Sequence, residues 1–136
     1  MSTGRGWASA PKKEELPLFV LGVTGTADFD DPAAVARTLS RLTARVATTH
    51  RVVLHTGCGH PADRAARDFA EGRRWLGATT QVAPPGLRPR EVTMRAVCGL
   101  VASCDAVVLF AREGSAEARF AREAGRLAGV RVAVAG

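Results

Sequence analysis

Tyrosine, isoleucine and asparagine are absent from the 136-residue chain, and the only lysines are Lys12 and Lys13. Cysteine is scarce too. Cys58, Cys98 and Cys104 make an odd count without paired spacing, which excludes a disulfide framework. Apolar runs such as Ala106–Ala111 fall well short of the roughly 20 residues of a membrane-spanning helix. Residues 1–16 are polar and carry Lys12, Lys13, Glu14 and Glu15, unlike a secretory leader. Neither G-x-G-x-x-G nor the Walker pattern occurs, so ordinary dinucleotide binding and NTP hydrolysis have no sequence support, and no cofactor is expected. These absences lead to the expectation of a soluble, reduced, cytoplasmic protein.

What is present points to one folded unit. Hydrophobic residues are 46% of the chain, enough to bury a core. The formal charge is +6, and all but two of the nineteen basic residues are arginine. With Ala, Gly and Val also abundant, that bias matches GC-rich coding, and the charge is spread along the chain rather than gathered in a tail. Net charge therefore identifies no partner.

Residues 1–16 lack periodicity and read as a disordered tail, leaving one domain over 17–136. Leu18–Val23 is a short apolar run of the kind buried on both faces of a sheet. Asp31-Pro32 is a helix start, followed by Val35, Leu39, Leu42 and Val46 at helical spacing. The cycle repeats with strands predicted at Arg51–His55, Ala78–Val82, Ala106–Phe110 and Val130–Val134. Helices are predicted from Pro61, from about Pro89, and after Ser115 with Phe120, Ala124 and Leu127 inward. Cys98 and Cys104 read as core residues. The class is α/β: a single Rossmann-like three-layer domain, about five mostly parallel strands with helices on both faces.

Ligands in such folds sit beyond the carboxyl ends of the strands, where the strand order reverses. Three Gly-bearing loops, Thr24–Asp28, Gly57–Asp63 and Arg112–Glu117, should bound that crevice. Glycine admits an anion close to the backbone, and helix N-terminal N–H groups face it. Each loop taken singly is also an ordinary turn. Asp63 suits helix capping as well as a ligand ribose hydroxyl.

Other clusters have plain readings. His55, Cys58 and His60 do not form a known metal-ligand spacing, so no metal is expected, and His60 fits better beside a ligand phosphate. Cys58 lacks an evident nucleophilic arrangement. Arg37, Arg41 and Arg45 form one basic stripe and Arg119, Arg122 and Arg126 another, without the interleaved aromatics that base stacking uses. Both read as solvated helix faces, and Trp75 as a packing residue or interface anchor.

The stretches Val23–Asp31, His55–Ala70, Arg90–Met94 and Asp105–Phe110, in that order, resemble the SLOG superfamily, the Rossmann-like group that includes DprA and the LOG enzymes. The YspA-like, YpsA-related branch is the most similar. The resemblance implies a nucleotide or nucleotide-derived ligand, often in a homo-oligomer, and relatives that work beside protein partners. Its motifs fall on Gly25, Thr26, Gly57, Asp63, Arg64, Arg90, Gly114 and Ser115 as ligand-binding residues. Ala27, Pro61 and Glu91 stand where the pattern has Arg, Gly and Asn. On this basis the domain is expected to bind its ligand as a sensor or carrier rather than turn it over, with hydroxyls from Thr26 and Ser115 and charge from Arg90.

Two alternatives follow from the same resemblance. A LOG-like nucleoside 5′-monophosphate phosphoribohydrolase would use Arg90 with Glu117 or, with different geometry, Glu113, because Ala118 occupies the position of the family's catalytic Glu. A DprA-like module would bind single-stranded DNA. Nucleic acid is the less expected partner, and a membrane is not expected.

Overall fold

A computed structural model describes residues 15–136, so all but the end of the expected tail lies outside the described residues. Five strands alternate with four helices: β1 (Leu18–Gly25), α1 (Pro32–Val46), β2 (Arg51–Thr56), α2 (Pro61–Glu71), β3 (Leu76–Thr80), α3 (Pro89–Ser103), β4 (Ala106–Phe110), α4 (Ala116–Ala128) and β5 (Arg131–Ala135). All pairings are parallel, in the order β3-β2-β1-β4-β5. The progression runs one way from β1 to β3 and the other way from β1 through β4 to β5. A single hand of crossover then requires the two helix pairs to lie on opposite faces.

They do. Val35 and Leu39 of α1 and Ala62, Ala66 and Phe69 of α2 pack on Leu21, Val23, Leu54 and Phe110, with Trp75 at the margin. Val97 and Leu100 of α3 and Ala121 of α4 pack on Val107 and Leu109. Gly22 is what lets α3 approach β1: a Cβ there would lie 3.1 Å from Leu100, Cys104 and Val107. No described helix is long and apolar enough to cross a membrane.

Helix starts follow local chemistry. Asp31 Oδ1 accepts from the Ala34 amide at 3.1 Å, with Pro32 opening α1. Ser115 Oγ accepts from the Ala118 amide at 3.1 Å at the head of α4, which ends on Gly129 at φ 71°. Glu91 Oε1 accepts from the Arg88 amide at 2.8 Å and so caps α3 instead of facing a ligand.

Three expectations are corrected. β3 begins two residues earlier than Ala78, because Leu76 is its one buried anchor, paired with Val52, while Val82 lies beyond the strand and is 92% exposed. Leu127 is 73% exposed; Phe120 and Ala124 are partly buried against the core as expected, and the fully covered face of α4 is Ala118, Ala121 and Gly125. A Cβ on Gly125 would sit 2.4 Å from Val132 Cγ2, so that contact has room only for small residues. Cys104 is buried as expected, but Cys98 is exposed on the outer side of α3.

Candidate functional site

The strand order reverses between β1 and β4, and the loops after these strands face each other there. The two are tied together, since the Thr26 amide donates to the Phe110 carbonyl at 3.0 Å. Gly25 permits this approach: a Cβ on it would lie 2.6 Å from Ala62 Cβ and 3.0 Å from the Phe110 oxygen. Gly114 turns the second loop at φ 84°, a conformation that favours glycine, and delivers Ser115 to the head of α4.

Between these loops and the start of α3 lies a polar cleft of about 330 Å³. Thr26, Arg90, Gly114, Ser115 and Glu117 line it, as do Asp28, Arg112 and Glu113. Ser115 Oγ uses a lone pair on its own helix and keeps its hydrogen to donate. The Thr26 hydroxyl donates instead to Asp28 Oδ1 at 2.7 Å. That bond, then Asp28's own amide, then the Arg112 charge hold the Asp28 carboxyl below the usual aspartate range.

Charges in the cleft are matched. Arg90 Nε lies 3.7 Å from Glu117 Oε2, joining the heads of α3 and α4, with the Arg90 side chain 64% exposed and that of Glu117 15%. Glu113 is gripped by both guanidinium nitrogens of Arg122, one bond at 3.0 Å, and its pKa is lowered by that hydrogen bond. Glu113 is therefore committed to α4.

Other candidates lie beside the cleft rather than on it. Gly57 donates its amide to the Val23 carbonyl at 3.0 Å, and Arg64 is exposed on α2. Asp63 is fully buried: Oδ2 accepts from the His60 amide at 3.1 Å, while Oδ1 and the facing Thr24 Oγ1 lack a hydrogen-bond partner. Burial pushes the Asp63 pKa up, against the opposing pull of the His60 amide and nearby positive charge. His60 is itself buried, its Nε2 3.2 Å from the Pro89 carbonyl, so the ring links the heads of α2 and α3 rather than facing a ligand. His55 Nδ1 meets Thr79 Oγ1 at 2.6 Å, and no group of three or more potential metal-ligating His, Cys, Asp or Glu occurs among the described residues.

Larger grooves of about 550 and 540 Å³ flank β3, the first lined by Cys58, Met94 and Cys98. Arg95 lines the first and Arg51 and Arg74 the second, but neither has a carboxylate on its lining, so opposite charges meet only in the smallest cleft of the three. The arginine stripe of α4 is engaged internally: Arg122 with Glu113, Arg126 with Glu123, and Arg119 with the Gly114 carbonyl. Arg37, Arg41 and Arg45 are exposed on α1. Asp28 and Arg112 were not singled out as contacts from sequence, although the two loops that carry them were.

Residues 20–81 match the family model YAcAr, described as the YspA, cpYpsA-related SLOG family. Across that segment the chain is similar to the SLOG superfamily. The SLOG match runs from within β1 to just past β3. It contains Gly25, Thr26, Gly57, Asp63 and Arg64, and it ends before Arg90, Gly114, Ser115 and Glu117. No curated protein matches the chain.

Proposed function

We propose that the chain binds a nucleotide or nucleotide-derived ligand at the carboxyl ends of the strands and acts as a sensor or carrier, in a homo-oligomer or beside a protein partner. The observation that carries this reading is the cleft at the strand-order reversal, where Arg90, Ser115 and the Gly114 turn converge. The SLOG match over the first half of the fold supports the ligand class, and the assembly is carried over from the resemblance. Arg90 supplies positive charge, Ser115 a hydroxyl, and the head of α4 its free amides. A thermal-shift screen of AMP, NAD, ADP-ribose and cyclic nucleotides tests it. A ligand at 100 times its Kd adds about 2.7 kcal/mol, a shift of several degrees for a small domain. A flat screen at millimolar ligand overturns the reading.

The Arg90–Glu117 approach of 3.7 Å favours one second reading, hydrolysis of the N-glycosidic bond of a nucleoside 5′-monophosphate. Water would add at the anomeric carbon, and the base would leave with the proton. Glu117 would stabilise charge at that carbon while Arg90 held the phosphate. Release of adenine and ribose 5-phosphate from AMP, lost in Glu117→Gln, supports it; no product at high enzyme concentration ends it.

A further inference from the structure

The matched charges of the cleft say which ligands it admits, an inference that rests on the binding reading above. Two arginines and three carboxylates line it. Arg90 faces Glu117 at 3.7 Å, and Arg112 lines the same cleft as Asp28, whose carboxylate accepts from the Thr26 hydroxyl at 2.7 Å. The third acid, Glu113, is held by Arg122 from α4. With Glu113 taken up by Arg122, Asp28 and Glu117 balance the charge of the two arginines that line the cleft. Glu91, the acidic departure from the family pattern, lies outside this set because it caps α3. Glu117 is the enclosed member of its pair, 15% exposed against 64% for Arg90, so it is fixed while the arginine reaches over it.

We propose that Glu117 is a specificity-determining residue: by holding Arg90, it admits a nucleoside or a nucleotide with a single phosphate and discriminates against di- and triphosphates. The physical reason is the charge count. One phosphate can draw Arg90 away from Glu117, but each further phosphate adds negative charge to a cleft in which Asp28 and Glu117 already balance both arginines. Asp28 and Glu117 instead suit donors without charge, such as the hydroxyls of a ribose.

The test is calorimetric titration of the full chain and its Glu117→Gln variant with two series: adenosine, AMP, ADP and ATP, and phosphate, pyrophosphate and tripolyphosphate. In the wild type, affinity should not rise from AMP to ATP. In the variant the gain should climb with phosphate number, to roughly fivefold to tenfold for ATP, the effect of removing one partly solvated like charge. It should be smallest for adenosine. ATP binding more tightly than AMP to the wild type, or a gain in Glu117→Gln equal for adenosine and ATP, overturns this inference while leaving nucleotide binding intact. Absence of binding by every probe to both proteins overturns the binding reading itself, and this inference with it.

Discussion

Arg90 Nε and Glu117 Oε2 lie 3.7 Å apart and join the first turns of α3 and α4, two helices that pack side by side on one face of the sheet. The pair lines the cleft together with Thr26 and Asp28. Being largely solvent-exposed on the arginine side, it adds little to stability. Its consequence is for binding, because any anionic ligand must compete with Glu117 for the guanidinium.

Arg90→Ala should therefore weaken nucleotide binding without unfolding the protein. A hydrogen bond to a charged group is worth about 1.5–3 kcal/mol, and exposure of Arg90 places the effect toward the lower end, roughly tenfold in Kd. Calorimetry with AMP alongside a urea melt separates the two quantities. Unchanged affinity would remove Arg90 from the site, and a large loss of stability would mean that it holds the fold together.

Much of the fold was legible because local chemistry and periodicity agree at these positions. Asp31-Pro32 opens α1, Ala106–Phe110 is β4, and the helix starts at Pro61 and Pro89 fall where proline puts them. The Gly-bearing loops were placed at one end of the sheet by alternation alone. The failures share a cause: the edges of the sheet are only partly covered, so apolar spacing stops reporting burial. On β3 only Leu76 is buried. On α4 the buried stripe at Ala118, Ala121 and Gly125 is less apolar than Leu127, which is exposed and misleads for that reason. In the site, Arg90 was named from the motif and Glu117 as the acid one residue before the motif's catalytic position, and both line the cleft. The engagement of Thr26 by Asp28, and of His60 by Pro89, depends on side-chain directions that spacing does not encode.

The α4 register gives a paired test. Leu127→Ala should change stability by less than about 0.5 kcal/mol, since an exposed side chain has little transfer energy to lose. Ala121→Leu, at a fully buried position, should cost about 1–3 kcal/mol by overpacking. Denaturant midpoints with unchanged slopes would show both. A costly Leu127→Ala and a neutral Ala121→Leu would mean that the helix is rotated from the orientation described.

Gly57 is a close-approach position, not merely a turn. A Cβ there would meet Thr24 Oγ1 at 2.7 Å, Asp63 Oδ1 at 2.9 Å and Ala96 Cβ at 3.2 Å, all belonging to buried residues. Gly57→Ala should destabilise by about 1–3 kcal/mol, as overpacking of a filled interior does. A chemical denaturation curve indistinguishable from that of the wild type would show that Thr24 and Asp63 move aside at little cost.

Asp63 makes the sharpest prediction about pH, because it is a buried carboxyl with one oxygen unpartnered. Burial raises its folded-state pKa above the ordinary aspartate value of about 3.9. The folded protein then holds this proton more tightly than the unfolded chain does. No penalty applies below the unfolded pKa, and stability falls as pH rises from there through the raised folded pKa. Asp28, Glu113 and Glu123 have lowered pKa values and act in the opposite sense, losing their contribution as pH falls. The informative quantity is therefore the difference between wild type and Asp63→Asn measured across pH 3 to pH 8, the range of about four units above the unfolded value. The asparagine oxygen keeps the bond from the His60 amide, and its NH₂ group supplies a donor to Thr24 Oγ1, which now has none. Asp63→Asn should then be the more stable protein at neutral pH, by on the order of 1 kcal/mol, and the advantage should shrink toward acid pH. A variant less stable than the wild type at pH 7, or a difference that does not change with pH, would mean that the Asp63 charge is compensated by Thr24 and the helix head after all.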